Sequence, residues 1–309
     1  MWQPTASLAA LKARAAIYQH FRTFFAEREV LEVSTPVMAR FGVTEPHIQN
    51  IAVPGYGVLQ SSPEYHMKRL LASGSGDIYQ ITPVFRDGER GKRHNPEFTM
   101  LEWYRLGFSL PDLMRECAQL LAPLLQPVDI EYHQFRDIFF THTGLDPLIA
   151  STSELQVRAL QQESVPALSK PELVDWLMAC VVEPQLPQDC LVFIDDFPGW
   201  AAALAQKKIM DDGQEVAARF EIYFKGYELA NGYQELLVAE EQAARFAQDN
   251  QRRQTLGLPV READSYLLAA LQAGVPACSG VAIGIERVLM CLLGTDNIAD
   301  VLAFPVDTA

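Results

Sequence analysis

The chain has 309 residues, 49% of them apolar, and 25 Lys and Arg stand against 39 Asp and Glu, a formal charge of −14. That is enough apolar material for a large core without help from metals or disulfides, and five cysteines with no CxxC pair argue against a disulfide frame or a structural zinc site. The acidic balance argues against broad nucleic-acid binding, and no apolar run reaches the roughly 18–20 residues of a membrane span, so the chain reads as a cytoplasmic protein.

Apolar positions at Leu8, Leu11, Ala15, Tyr18, Phe21 and Phe25 predict a long amphipathic helix. It runs into VLEVSTPVM, a β-rich stretch broken at Pro36. A helix feeding an edge strand suits a dimer seam, and equally an ordinary packing unit. Residues 42–60 predict short strands with Gly and Pro turns. Ser61, Ser62 and Pro63 then predict a helix start, with a hydroxyl capping the free N–H groups and Pro in the first turn. Glu64 is either a carboxylate favoured by the helix dipole or the counterion of a ligand amine.

IYQITPVF and EFTMLEWY predict two strands of a hairpin, with Asp87-Gly88 and Asn95-Pro96 as turn chemistry. Between them Arg86, Arg90, Lys92, Arg93 and His94 fall within nine residues. Such a basic island suits an anion, and equally a solvated hairpin tip. Alternation puts Phe98, Met100, Glu102 and Tyr104 on one face, a floor for a flat base, a polyphosphate and an amine.

Residues 110–190 read as a helical insertion, and CLVFIDDFP as a buried strand whose Asp195-Asp196 is a solvated end. RFEIYFKGYELANGYQEL predicts two strands around the turn Lys225-Gly226. Pairing 224 with 227 sets 223 against 228 and 221 against 230, which puts Glu221 and Glu228 diagonally on one face. Carboxylates this close repel unless a proton or cation intervenes. Mg²⁺ bridging to nucleotide phosphates resolves the conflict, and so does simple exposure. Asn231-Gly232 breaks the alternation before Glu235. A charged helix over 239–256 closes at Gly257 and Pro259. SGVAIGIERVLMCLLG predicts a strand entering a buried helix, where Gly280 and Gly284 let the backbone approach a ligand and Arg287 stands where anions gather. IADVLAFPVDT predicts a closing strand.

Taken together these stretches resemble the catalytic domain of class II aminoacyl-tRNA synthetases of the lysyl type, over about residues 10–305. VSTP looks like motif 1, FR…RHNPEFTMLEWY like motif 2 and GVAIGIER like motif 3, while SPEYHMKRL and ELANGYQEL are similar to the lysine-site segments. The resemblance implies an α+β fold with an antiparallel β-sheet flanked by helices, as a single 1–309 catalytic domain carrying the insertion. It also implies a homodimer and ATP-dependent activation of a lysine-like carboxylate. The match begins almost at the first residue, which implies no anticodon-binding domain. Ala282 stands where the synthetase pattern has glycine and should crowd the α-carbon end of the pocket by one carbon, worth about 1–3 kcal/mol of selectivity. Both features, with the WQP…AS start and the LEWY ending of motif 2, resemble the elongation factor P lysine ligase family. That family joins (R)-β-lysine to a lysine side chain of elongation factor P, so the implied partners are that protein and β-lysine, with no tRNA and no membrane. Two other readings stand beside it: a truncated synthetase-like enzyme acting on tRNA, and a non-catalytic nucleotide-binding regulator.

By position, the resemblance implies that Arg86 bridges the substrate carboxylate and the α-phosphate and that Arg287 meets the terminal phosphate beside Gly284; these two arginines are the catalytic pair. Asp87, Gly88, His94 and Asn95 belong to the loop receiving ATP, and Phe98 stacks on adenine. Gly88 stands where related chains have Glu, with Glu89 as the candidate compensation. Glu221 and Glu228 hold Mg²⁺, Glu228 and Leu229 lining the nucleotide. Ser62, Pro63, Glu64, Glu102, Tyr104, Asn231, Glu235 and Ala282 line the amino-acid site, Glu235 taking the distal ammonium and Glu64 the amine nearer the carboxylate.

Overall fold

The structure, a computed structural model describing residues 2–309, opens with the helix that the apolar spacing predicts, α1 (Leu8–Ala26). The Ser7 hydroxyl caps it by accepting the Ala10 N–H at 3.1 Å. Its buried face carries Ile17, Phe21 and Phe25, the last stacked on Tyr79 and edge-on to Trp103. The motif 1 stretch keeps only a two-residue strand, β1 (Leu31–Glu32), because Pro36 interrupts it. Short strands follow as β2 (Met38–Ala39), β3 (Ala52–Val53) and β4 (Gly57–Leu59), a small sheet in the order β2–β4–β3. α2 (Glu64–Ala72) begins where Ser62 Oγ accepts the Glu64 N–H at 2.9 Å. The hairpin strands are β5 (Ile78–Phe85) and β6 (Glu97–Leu106), and α3 (Leu110–Leu125) packs behind them.

The chain divides into two compact units, the first comprising residues up to Leu125 with Glu235–Ala309 and the second Gln126–Gln234. In the second lie β7 (Asp129–Gln134), α4 (Phe135–Thr143), α5 (Thr152–Leu160) and α6 (Lys170–Leu177). They are followed by β8 (Cys190–Pro198), β9 (Lys207–Ile209), β10 (Glu215–Phe224) and β11 (Tyr227–Gln234). Its sheet runs β11–β10–β8–β7, with β9 on β10. Two expectations are corrected here. The stretch 110–190 is not simply a helical insertion: α3 belongs to the first unit, and β7 pairs in parallel with β8. β7 reads DIEYHQ, an alternation carried by only two apolar residues, Ile130 and Tyr132, and so too short to stand out as a strand. Asp195-Asp196 is not a solvated end either. Asp196 is buried at a positive φ of 55° and ion-paired with Lys208 at 2.7 Å, while burial and the Asp196 charge push the Asp195 carboxyl up to about 6.

The chain returns to the first unit with α7 (Ala239–Thr255), α8 (Ser265–Gly274), β12 (Cys278–Gly284) and α9 (Ile285–Leu293). The sheet of this unit runs β1–β5–β6–β12, antiparallel except where β1 joins β5. The closing segment forms no strand, only a 3₁₀ turn at Ile298–Asp300 and further turns. Its donors are used elsewhere, the Ile298 N–H on Lys92 O and the Val306 N–H on Asn95 Oδ1. Among the described residues no helix is long and apolar enough to cross a membrane.

One buried ion pair joins the motif segments of the first unit. Glu286, at the start of α9, accepts from Arg14 of α1 at 2.9 Å and from the Thr99 N–H of β6 at 2.9 Å. Arg14 also donates to Val301 O. Removing one partner of a buried pair strands the other charge. Arg14→Met should therefore lower unfolding free energy in urea by about 3 kcal/mol, and adding Glu286→Gln should recover at least half of that loss.

Candidate active site

The sheet register of the first unit builds an acidic pocket. Gln80, Glu102 and Ala282 stand abreast on β5, β6 and β12, with Ile78, Tyr104 and Gly280 abreast one step along. Period 2 therefore gives Glu102 and Tyr104 the shared face expected of them. Glu102 is 2% exposed and accepts the Ser62 hydroxyl at 2.8 Å and the Tyr104 hydroxyl at 2.7 Å. Burial, helped by the charge of Glu64, pushes its carboxyl up to about 8. Glu235 is placed by its own N–H bond to Cys278 O, and its carboxylate receives the Gly280 N–H. Burial pushes it up to about 7 against the pull of a neighbouring cation.

That cation is Lys68, which the reading of the sequence did not single out. Its ammonium is 1% exposed and sits 2.6 Å from Glu64 Oε1 and 2.6 Å from Glu235 Oε2. Burial pulls its pKa down, but the two carboxylates outweigh burial and hold it above the ordinary lysine value. The available signal was the i,i+4 spacing from Glu64, which on its own describes a surface helix pair. Gly280 has a different reason from the one expected. A Cβ there would lie 2.6 Å from Glu235 Oε1 and run into the Tyr104 ring, so the glycine lets these two side chains close on the strand. Gln80, also overlooked, is buried opposite Glu102 with its amide oxygen lacking a hydrogen-bond partner.

The hairpin loop and the start of α9 gather the predicted anion-binding residues of this unit. Arg86 lies over the Phe98 ring at 5.1 Å and faces Glu89 at 3.6 Å, with its Nε buried and lacking a hydrogen-bond partner. Arg287 meets His94 Nε2 at 3.2 Å, and Gly284 leaves room beside it. Gly88 has φ +79°, so glutamate at that position would be strained; Glu89 turns to Arg86 instead. Asn95 is buried and donates to Glu97 O while accepting the Val306 N–H, which makes it an anchor of the loop. At the tip of the basic island Arg90 pairs with Asp307 and Lys92 with Asp296, both in exposed ion pairs, so the tip is solvated.

In the second unit the turn forms as read, with Lys225 at φ 51° and Gly226 at φ 73°. The register beyond it does not. Leu229, fully buried, is an extra residue on β11, so Glu221 faces Asn231 and not residue 230. A bulge of this kind re-aims the side chains that follow it. Asn231 Nδ2 donates to Glu221 at 3.2 Å, and Arg219 and the Tyr223 hydroxyl bond the same carboxylate. Burial raises Glu221 to about 7; Arg219 opposes this and Glu228 adds to it. The donor set fits Mg²⁺: two carboxylates and the buried Asn231 Oδ1, which has no hydrogen-bond partner. No group of three or more His, Cys, Asp and Glu among the described residues could hold a metal. A cation here would complete its shell with phosphate and water, as Mg²⁺ does.

The raised carboxyl of Glu102 has a consequence for stability. Between pH about 4.3 and about 8 the unfolded chain loses this proton while the folded protein keeps it. Stability of the ligand-free protein should therefore fall as pH rises across that window, by up to about 1.4 kcal/mol per unit for each such group. Urea unfolding at pH 5, 6, 7 and 8 should show this decline, and Glu102→Gln should flatten it.

The family model described as tRNA synthetases class II (D, K and N) matches residues 3–308. The chain is 46% identical over 319 residues to the protein of Pasteurella multocida named elongation factor P–(R)-beta-lysine ligase, spanning all of this chain and 98% of the relative. Proteins of the same name are 47% identical in Mannheimia succiniciproducens and 46% in Vibrio campbellii, again over all of this chain and 98% and 99% of theirs. With its motif segments joined in one unit over an acidic pocket, the chain belongs to the class II tRNA synthetase family, in the group of the elongation factor P–(R)-β-lysine ligases.

Proposed function

We propose that this chain is a cytoplasmic, ATP-dependent ligase that activates (R)-β-lysine as an acyl-adenylate and joins it through an amide bond to a lysine side chain of elongation factor P. It works as a homodimer and without tRNA. The observation that carries this reading is the convergence of Glu64, Glu102 and Glu235 by the motif strands, Glu102 and Glu235 buried and Glu64 half-buried. Glu102 and Glu235 are buried with raised carboxyl pKa values, an environment that favours a ligand carrying cations, and a diamino acid brings two. In relatives of this name the substrate is a β-lysine.

The chemistry follows in two steps. The β-lysine carboxylate attacks the α-phosphorus of ATP, the bond to the β-phosphate bridge breaks, and pyrophosphate leaves. Arg86 screens the repulsion between carboxylate and α-phosphate, and Arg287 takes charge on the departing phosphates. Asp87, Gly88 and His94 contribute to the loop that receives ATP, held in place by Asn95, and Phe98 stacks on adenine. Glu221 and Glu228 would hold Mg²⁺, which would supply charge neutralisation on the phosphates, and Glu228 and Leu229 line the nucleotide. Asn231 contributes to the amino-acid site together with Ser62, Pro63, Tyr104 and Ala282. Glu235 takes the distal ammonium and Glu64 the amine nearer the carboxylate. No protein nucleophile takes part, so catalysis is positioning and electrostatics. In the second step the acceptor lysine amine attacks the acyl carbonyl, AMP leaves, and the amine gives up its proton.

Mass spectrometry of elongation factor P after incubation with this protein, ATP and (R)-β-lysine should show the mass of one added β-lysyl group on a lysine. An unmodified factor alongside charged tRNA would replace this reading with the synthetase-like one. Ala282 pairs with Glu102 in the sheet register, a position from which its methyl group would narrow the pocket. Ala282→Gly should raise pyrophosphate exchange driven by α-lysine by about tenfold relative to that driven by β-lysine.

A further inference from the structure

The motif resemblance assigns a role to each pocket carboxylate and none to Lys68. Its Nζ contacts Glu64 one turn back on α2 and Glu235 before α7, each at 2.6 Å. The two carboxylate oxygens are therefore no more than about 5 Å apart, close enough for strong mutual repulsion. The other titratable groups facing this cluster are Glu102, Tyr104 and Cys278. Burial pushes the Tyr104 phenol well up and the Cys278 thiol up to about 12, so both are neutral at pH 7. Glu102, pushed up to about 8, largely keeps its proton at pH 7, so Lys68 stands against Glu64 and Glu235 alone.

We infer that Lys68 is a positioning residue that sets substrate specificity: a built-in counterion that bridges Glu64 and Glu235 and holds both carboxylates in place to accept the ammonium groups of the substrate. The inference deepens the proposed function and rests on it. Without Lys68 the Glu235 carboxyl, already pushed up by burial, would take a proton, and a protonated carboxyl offers an incoming ammonium a donor where it needs an acceptor. Substrate would then have to displace that proton, and its apparent affinity would rise with pH. A merely structural bolt between α2 and the Glu235 segment would weaken the protein with no such pH signature.

The test measures (R)-β-lysine-dependent ATP–pyrophosphate exchange at pH 7 and pH 9, with urea unfolding to confirm that each variant is folded. Lys68→Met, neutral and of similar length, should raise KM at pH 7 by about tenfold or more, the equivalent of one pKa unit. Its kcat should stay within about threefold of wild type, and its KM should return to within about threefold at pH 9. Lys68→Arg keeps the charge and should stay within about threefold at both pH values. An unchanged KM in Lys68→Met, or a KM raised equally at both pH values, overturns the inference. If Lys68→Met does not fold, Lys68→Arg decides: a KM within about threefold supports the role, and a larger pH-independent rise overturns it. Absence of exchange by the wild type with β-lysine would instead sink the proposed function.

Discussion

Burying like charges together is the constraint on which the first unit depends. Glu102 and Glu235 are withdrawn from water, with Glu64 half-buried beside them and Lys68 bridging Glu64 and Glu235, and the hydration that is lost must be replaced by hydrogen bonds or opposite charge. Much of the local sequence supplies those replacements. Ser62 serves both as the cap of α2 and as a donor to Glu102. Tyr104 gives its hydroxyl to Glu102, and Gly280 gives Glu235 both its amide and the space that a side chain would fill. An apolar filling would stabilise the fold at lower cost.

Around that pocket the unit is held rigid by contacts far apart in sequence. Arg14 and Glu286 tie α1 and α9 to the backbone of β6 at Thr99. The cationic hairpin loop is pinned at its far side by the closing segment, through Asn95, Lys92 and Arg90. Arg86 and Arg287 are thus displayed from supported backbone, a requirement when rate comes from positioning. In the second unit the same logic appears on a smaller scale. The bulge at Leu229 brings Asn231 opposite Glu221 and turns an exposed-looking pair of glutamates into a compensated oxygen cluster.

What the sequence made legible follows from periodicity and turn chemistry. The alternation through EFTMLEWY put Glu102 and Tyr104 on one face, and Lys225-Gly226 specified its turn. The family-like stretches named most of the pocket. Features that depend on non-local register stayed hidden. Nothing in ELANG marks Leu229 as an extra residue, so the partner of Glu221 was misread by one position. β7 was missed because only Ile130 and Tyr132 mark its apolar face, and Asp195-Asp196 because burial is a property of neighbours. Lys68 was overlooked for a related reason: a lysine four residues after a glutamate describes a solvated helix until tertiary packing encloses it.

The central claim is that buried carboxylates select a ligand by its second amine. It is tested most directly by pyrophosphate exchange with (R)-β-lysine compared with the same acid lacking the distal amine, 3-aminohexanoic acid. A site whose buried charge is left unpaired by the analogue should disfavour it by a factor on the order of 10⁴ in kcat/KM. Comparable values for the two acids would mean that the pocket does not read the second amine, and would contradict the account.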